Sequence, residues 1–300
     1  MNLFKTRTIR KLAQLVLVIV AAAIVAYAYV VWDVVHLPRQ FSGAPKVIYD
    51  VSQLNPVMVE GVITPTTTQE IIAAVKGHDG SISIGGARHS MGGQIASEGS
   101  LHIDMRQFNR ILSVSPDQKE VTVQAGARWR AIQERIDQDN LAVAIMQSYS
   151  NFTVGGSLSV NVHGRYVGGG PIIQSVKSLQ LVLADGSLIE ASPQRNAQIF
   201  YGAIGGYGGL GVITEATLGL AENTKLKRQA ETMPISKYKQ YFFSHVRQSA
   251  DAVFHNADIY PFGYDTVHAV TFAKTDEPVT VADRLIPADK SYWRERFGYW

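Results

Sequence analysis

The sequence predicts an α+β fold, because short strands and a few helices follow one another without regular strand–helix alternation. The stretches "SISI", "LHID" and "EVTVQAG" alternate with the period of two that is typical of strands. Thr67-x-x-Glu70 is a capping box that opens a helix, and residues 127–139 have helical periodicity. In "KSLQLVLADGSLIEAS", Asp185-Gly186 predicts the turn of a hairpin.

Composition excludes several classes of protein. The chain has 300 residues, of which 46% are hydrophobic and 18% charged, as in globular proteins. The net charge is only +3, and the basic residues cluster only near the N-terminus, so we expect no nucleic-acid partner. Because the chain contains no cysteine, disulfides, zinc–thiolate sites, iron–sulfur clusters and cysteine nucleophiles are excluded.

The N-terminus predicts a membrane anchor over residues 1–36. Residues 12–32 carry no charge and would form a helix of about 30 Å, enough to cross a bilayer. Lys5, Arg7, Arg10 and Lys11 precede this run, so we expect a single-pass protein with a cytoplasmic N-terminus and an extracytoplasmic catalytic domain. The alternative is a signal peptide cleaved at Ala26-Tyr27-Ala28.

Residues 37–56 contain prolines, glycine and serine and are interpreted as a linker. Three glycine-rich segments then lie within a domain predicted over residues 57–222. Residues 206–211 fit GxGxxG, but the following "VITEATLGL" predicts a strand, so we reject a dinucleotide-binding fingerprint, which must open a helix. From residue 223 the sequence becomes more charged, and residues 223–300 are assigned to a second domain.

His89 lies inside the first glycine-rich segment, "SISIGGARHSMGG". A single histidine is more often solvated or hydrogen-bonded in a core than functional. The glycines around it, however, free backbone amides to surround an anion. The spacing of His102, Asp104 and His163 does not support a metal site.

Five segments in the same order resemble the vanillyl-alcohol oxidase (PCMH-type) family of FAD-binding flavoprotein oxidoreductases. They are "GGARHSMGGQ", "LHIDMRQFNRILSV", "VTVQAGARW", "FTVGGSLSVNVHGR" and "NAQIFYGAIGGYGGLGVITEATL". The motifs are nearest to those of cytokinin dehydrogenases and of alditol and aldonolactone oxidases. The resemblance implies an FAD-binding domain of two α+β subdomains, followed by the beginning of a substrate (cap) domain.

The resemblance also assigns residues to the cofactor. It implies that His89 is bonded covalently to the flavin ring and that the loop around it holds the pyrophosphate. The implied FAD-binding residues are Gly85, Gly86, Ala87, Arg88, His89, Ser90, Gly155, Gly156, Ser157, Asn161, His163, Gly164, Gly211, Val212 and Ile213. No catalytic residue is assigned, because Ser148 occupies the position at which cytokinin dehydrogenases have an aspartate. Cytokinin is therefore disfavoured as the substrate.

The expected function is FAD-dependent oxidation of a C–OH group in a small sugar, lactone or polyol, by hydride transfer to the flavin. Oxygen or a membrane quinone would accept the electrons. The alternative is a membrane-tethered FAD-fold binding or assembly protein without turnover, which Ser148 and the short C-terminal part favour. The second domain is either incomplete or unusually short.

Overall fold

The computed structural model describes residues 14–29 and 46–280. Residues 14–29 form helix α1, which belongs to a different compact unit from residues 46–280. Three parts of the chain lie outside the described residues. They are both ends of the predicted anchor with its basic residues, linker residues 37–45, and the last twenty residues of the chain. Within residues 46–280 the fold is α+β, as the sequence predicts.

The membrane-spanning helix predicted over residues 12–32 is not confirmed. Its described part is α1, whose side chains are exposed. Within the described ranges, no helix is both long enough and apolar enough to cross a membrane.

A small parallel sheet carries the first glycine-rich segment. Its strands have the order β3-β5-β4, and a short antiparallel pair, β1 with β2, precedes it. The strands are β1 (Val47–Ile48), β2 (Val57–Met58), β3 (Gly61–Ile63), β4 (Ile82–Gly85) and β5 (Leu101–Asp104). Helix α2 (Thr68–Lys76) connects β3 to β4, and the predicted Thr67–Glu70 capping box is present at its start. Since the strands are parallel, the segments that follow all three meet at one edge of the sheet.

A larger antiparallel sheet follows the parallel sheet in sequence and packs against the same hydrophobic core. Its order is β10-β9-β11-β7-β6, and β8 pairs with the far end of β11. The strands are β6 (Ile111–Ser115), β7 (Glu120–Gln124), β8 (Leu141–Val143), β9 (Val176–Leu183), β10 (Leu188–Ala191) and β11 (Gly211–Glu222). The helices are α3 (Trp129–Ile136), α4 (Val154–Ser159) and α5 (Ala197–Ala203). The predicted β9–β10 hairpin is confirmed, with Gly186 at φ +76° in its turn.

A third sheet follows residue 223, where the second domain is predicted to begin. It is antiparallel with the order β12-β14-β13, and its strands are β12 (Leu226–Pro234), β13 (Ala252–Ile259) and β14 (Thr266–Lys274). Helix α6 (Ile235–Tyr241) connects β12 to β13 and continues into a single π-helical turn over Phe242–Val246. The boundary between residues 222 and 223 stays a prediction.

One hydrophobic core joins the parallel sheet to the larger antiparallel sheet. It combines Ile71 of α2 and Ile103 of β5 with Trp129 and Ile132 of α3, all of which are fully buried. The backbones of the two sheets also touch at Gly126, whose N–H donates to the carbonyl of Phe108 at 2.8 Å. A Cβ atom at position 126 would lie 1.9 Å from the carbonyl oxygen of Met105, so only glycine permits this approach.

A buried carboxylate fixes the edge at which the parallel strands end. Asp104, the last residue of β5, accepts from Arg88 Nη2 at 2.8 Å and from Arg106 Nη2 at 2.5 Å. The side chains of Asp104 and Arg88 are 3% and 5% exposed, respectively. Burial alone would raise the pKa of Asp104, but the hydrogen bonds and charge of Arg106 and the charge of Arg88 outweigh it and lower the pKa.

A series of hydrogen bonds between polar side chains lies near the same edge of the parallel sheet. Ser100 donates its hydroxyl proton to the carbonyl of Ser97, so Ser83 must donate to Ser100, and His102 Nδ1–H must donate to Ser83. His102 Nε2 then carries a lone pair, and it has no hydrogen-bond partner among the described residues. Burial, with the charge of Arg88, lowers the pKa of His102 to about 4.

We expect Asp104→Asn to destabilise the protein by about 3 kcal/mol, because it removes the carboxylate from beside the buried guanidinium of Arg88. Urea denaturation at matched FAD content measures this change. Asp139→Asn is the control, since the ion pair of Asp139 with Arg135 is partly exposed and should contribute less than about 1 kcal/mol. Equal small changes in the two variants would contradict the structural role of Asp104.

We expect His102 to make stability depend on pH between about 4 and 6.5. The pKa of His102 is about 4 in the folded chain and 6.5 in an unfolded chain, so the unfolded chain binds the proton more readily. The free energy of unfolding therefore falls as the pH falls through this window. The loss is on the order of 3 kcal/mol. The lowered pKa of Asp104 acts separately, below about pH 4.

His102→Asn keeps a donor near Ser83 and removes the titration, so the slope of unfolding free energy against pH should become shallower. His245→Asn, at an exposed histidine, is the matched control substitution. Urea denaturation at several pH values between 4.5 and 7 distinguishes them. A His102→Asn variant with the slope of the original chain would show that another group causes the pH dependence.

Candidate functional site

Three contacts hold the loop that follows β4. Arg88 has φ +62°, and its side chain reaches Asp104, as described above. The carbonyl of Arg88 accepts from the N–H of Val51 at 2.9 Å, and the carbonyl of Met91 accepts from Asn55 Nδ2 at 2.6 Å. The segment before β2 therefore clamps the outer side of the loop, and β5 holds the inner side.

The second glycine-rich segment forms the start of α4 and contacts this loop. A Cβ atom at Gly86 would lie 2.2 Å from Thr153 Oγ1, so the backbone of the loop passes directly over the residue before α4. The N–H groups of Val154 and Gly155 donate to the carbonyls of Ala127 and Ala125. These bonds attach α4 to the end of β7, which brings the first and second glycine-rich segments together.

The third glycine-rich segment completes the arrangement. Tyr207 and Gly208 both have positive φ, at +52° and +79°, and form a turn that leads into β11 at Gly211. The segment is followed by a strand and not by a helix, so the rejection of a dinucleotide-binding fingerprint at residues 206–211 is confirmed.

The three segments enclose one cavity of about 550 Å³. Ten of the fifteen implied FAD-binding residues line it: Gly86, Ala87, Arg88, His89, Ser90, Gly155, Gly156, Ser157, Gly211 and Ile213. The other five do not line it. Gly85 ends β4, Val212 points into the core, Asn161 accepts from the N–H of Ile173, the His163 side chain is exposed, and Gly164 lies against Met146.

Several lining residues were not singled out from the sequence. They include Gln94, Gln147, Phe152, Thr153 and Tyr207. Phe152 and Thr153 begin the quoted segment "FTVGGSLSVNVHGR", and Tyr207 lies within the third glycine-rich segment, so their position in these segments was the available signal. Gln94 ends the quoted segment "GGARHSMGGQ", so it carried the same signal. Gln147 had no such signal, because a long polar side chain outside a motif looks like a surface residue.

His89 lies in an aromatic wall of the cavity. Its ring centroid is 5.1 Å from that of Tyr149 and 4.7 Å from that of Phe152, both in edge-on geometry. Burial, with the charge of Arg128, lowers the pKa of His89 to about 4. The imidazole is therefore neutral near pH 7 and keeps a lone pair on one ring nitrogen.

Gln147 presents a fixed amide to the same cavity. Its Oε1 accepts from Ser157 Oγ at 2.7 Å and from Trp129 Nε1 at 3.3 Å. The indole N–H of Trp129 can only donate, and it is shared between Gln147 Oε1 and Ser157 Oγ, the latter at 3.0 Å. The Gln147 NH₂ group makes no hydrogen bond to the described residues, so it is available to a molecule in the cavity.

The donors in the cavity fit a cofactor that carries a pyrophosphate. The backbone N–H groups of Ala87, Ser90 and Met91, which all line the cavity, make no hydrogen bond to the described residues. Unpaired backbone amides in a glycine-rich loop are typical of phosphate binding. The lining contains no aspartate or glutamate, and the described ranges contain no cluster of three or more His, Asp or Glu that could hold a metal ion.

Comparisons with known proteins agree with this geometry. Residues 59–192 match the model of a family described as an FAD binding domain. Cytokinin dehydrogenase 2 from Arabidopsis thaliana is 29% identical over 178 residues, which cover 57% of this chain and 35% of the relative. L-gulonolactone oxidase from Mus musculus is 28% identical over 181 residues, which cover 60% and 41%, respectively.

An uncharacterized oxidoreductase, ORF5 in the fasciation locus of Rhodococcoides fascians, is 31% identical over 172 residues, which cover 56% of this chain and 39% of the relative. The chain thus spans less than half the length of these curated relatives. The matched region contains the first two glycine-rich segments, with His89 and the start of α4. These similarities support an FAD-binding oxidoreductase of the PCMH-type family, with FAD as the cofactor.

Proposed function

We propose that the protein is an FAD-dependent oxidoreductase that oxidises a C–OH group of a small hydroxylated molecule of the sugar, lactone or polyol class. The cavity between the three glycine-rich segments is the observation that carries this proposal. The name of the L-gulonolactone oxidase relative supports a lactone or sugar substrate. Ser148, which is exposed, stands where cytokinin dehydrogenases carry an aspartate, and this argues against an amine substrate.

Bound FAD would supply the acceptor for a hydride removed from the substrate carbon. The residues of the chain position and shield the reacting groups. The free amides of Ala87, Ser90 and Met91 bind the phosphates, and the His89–Tyr149–Phe152 wall excludes water from one end of the cavity. The NH₂ group of Gln147 donates a hydrogen bond to the bound molecule, in an orientation fixed by Ser157 and Trp129.

We propose that His89 holds the flavin through a covalent bond between an imidazole nitrogen and the 8α-methyl carbon of the ring. One C–H bond of that methyl group would break, and the two electrons would pass through the flavin to oxygen or the quinone. The side chain lines the cavity, and its lowered pKa keeps it neutral at physiological pH, which is the form that can act as a nucleophile. His89 is then not available as the catalytic base. Since the described lining contains no carboxylate, we assign no residue to that role.

We further propose that the apolar residues 12–32 anchor the protein in a membrane, with a cytoplasmic N-terminus and an extracytoplasmic catalytic domain. A membrane position would make a quinone accessible as the electron acceptor, with oxygen as the alternative.

The covalent bond predicts that protein denatured in acid keeps its yellow colour on the polypeptide. His89→Ala should release all flavin on denaturation, because the nucleophile is absent. His245→Ala is the matched control, since this exposed histidine does not line the cavity and should leave the colour attached. Flavin that separates from the denatured original chain would overturn the covalent bond without affecting FAD as the cofactor.

The proposed activity predicts that the flavin absorbance bleaches when a lactone, sugar or polyol substrate is added without oxygen. A panel of L-gulonolactone, sorbitol and benzylamine separates lactone, polyol and amine substrates. Absorbance should return when oxygen or a soluble quinone is added, and the rates identify the acceptor. Flavin that is bound but inert to the whole panel would favour an FAD-fold binding protein without turnover.

The same preparation tests the membrane position. The yellow protein should sediment with membranes and stay there in alkaline carbonate, which removes peripheral proteins. A chain that begins at residue 46 should remain in the supernatant. Recovery of the full chain in the supernatant would contradict the anchor.

A further inference from the structure

We propose that a second cleft, separate from the FAD cavity, binds the phosphate group of a small phosphorylated molecule. The cleft has a volume of about 530 Å³ and is lined by Thr64, Arg106, Gln107, Asn109 and Arg128. It shares no lining residue with the FAD cavity. The lining comes from the segments after β3, β5 and β7, so it is the fold that brings these residues together.

Arg106 is positioned before any ligand arrives. Its Nε donates to Asp104 Oδ1 at 2.8 Å and its Nη2 donates to Asp104 Oδ2 at 2.5 Å, so the carboxylate holds one side of the planar guanidinium. Nη1 makes no hydrogen bond to the described residues. The Arg106 side chain is 35% exposed. A fixed guanidinium loses little conformational entropy when an anion binds to its open side.

Arg128 supplies a second guanidinium whose charge is not paired with a carboxylate among the described residues. Its backbone is fixed by a bridge to Thr153, and it precedes α3 without making a side-chain capping bond. The side chain is exposed and forms no hydrogen bond or ion pair with the described residues. Among the described residues, Asp104 pairs with Arg106 from outside the cleft, and no aspartate or glutamate lines the cleft itself.

This lining selects for a phosphate group. The lining side chains provide two guanidiniums, two amides and one hydroxyl, which together offer many N–H and O–H donors and a charge of +2. A phosphate monoester carries close to two negative charges and oxygen acceptors that match the arginine geometry. The volume falls within the range of small-molecule sites and exceeds that of inorganic phosphate, so the group attached to the phosphate would also enter the cleft.

Calorimetric titration of the FAD-loaded protein tests the proposal, because bound FAD keeps titrated phosphate away from the first glycine-rich loop. Inorganic phosphate and glucose 1-phosphate should each bind at one saturable site, and glucose should not bind. Flavin absorbance verifies FAD loading beforehand, so that a failure of FAD binding is recognised separately from a failure of phosphate binding.

Arg128→Gln should weaken phosphate binding at least tenfold, because one of the two guanidiniums is lost. The protein should melt at the original temperature, since the side chain makes no hydrogen bond to the part of the chain that the structure describes. Arg135→Gln is the matched control. It removes the same charge from the other end of α3, where Arg135 pairs with Asp139, and should leave binding unchanged.

Three results would overturn the proposal. The first is the absence of saturable binding by both phosphate ligands. The second is equal affinity of the original chain and Arg128→Gln. The third is binding to phosphatidic acid vesicles without binding to either soluble phosphate, which would assign the cleft to a lipid surface instead of a small molecule.

Discussion

The arrangement of both cavities depends on the buried ion pair of Arg88 with Asp104. A loop with several glycines has many accessible conformations, and fixing it costs conformational entropy. Arg88 offsets this cost by reaching back across the sheet edge to a carboxylate that is 3% exposed. A buried pair of this kind adds little net stability compared with an apolar pair, but it tolerates only one position of its partner. The loop is thereby restricted to one path over Thr153.

The fixed path of the loop determines the chemistry of His89. With Arg88 directed inwards to Asp104, the next residue is placed against Tyr149 and Phe152 in the cavity wall. Removal of the imidazole from water lowers its pKa to about 4 and keeps it neutral. The same restriction leaves the amides of Ala87 and Ser90 without partners in the described chain. Anchoring of one residue therefore accounts for both the neutral imidazole and the free backbone amides that we propose bind the phosphates.

Local sequence patterns predicted the elements better than their assembly. The capping box before α2 and the buried face of Trp129, Ile132 and Ile136 depend on neighbours within four residues, which the sequence displays directly. Motif resemblance identified most of the cavity, since glycine-rich segments mark where backbone approaches a ligand. Gln147 was not found, because its orientation depends on Trp129 and Ser157, which only the folded chain brings within hydrogen-bonding distance.

More arginine than carboxylate side chains lie at the edge where the parallel strands end. Arg88, Arg106 and Arg128 approach it, and Asp104 is the carboxylate they surround. None of these arginines stood out from the sequence by its charge, since they are separated by 18 to 22 residues and the net charge is only +3. The resulting positive field is suited to two anionic groups, the pyrophosphate of FAD beside Arg88 and a phosphate beside Arg106 and Arg128.

The charge of Arg128 lowers the pKa of His89, so an anion on Arg128 would raise that pKa while burial continued to oppose protonation. The two cavities are thus linked through electrostatics although they share no lining residue.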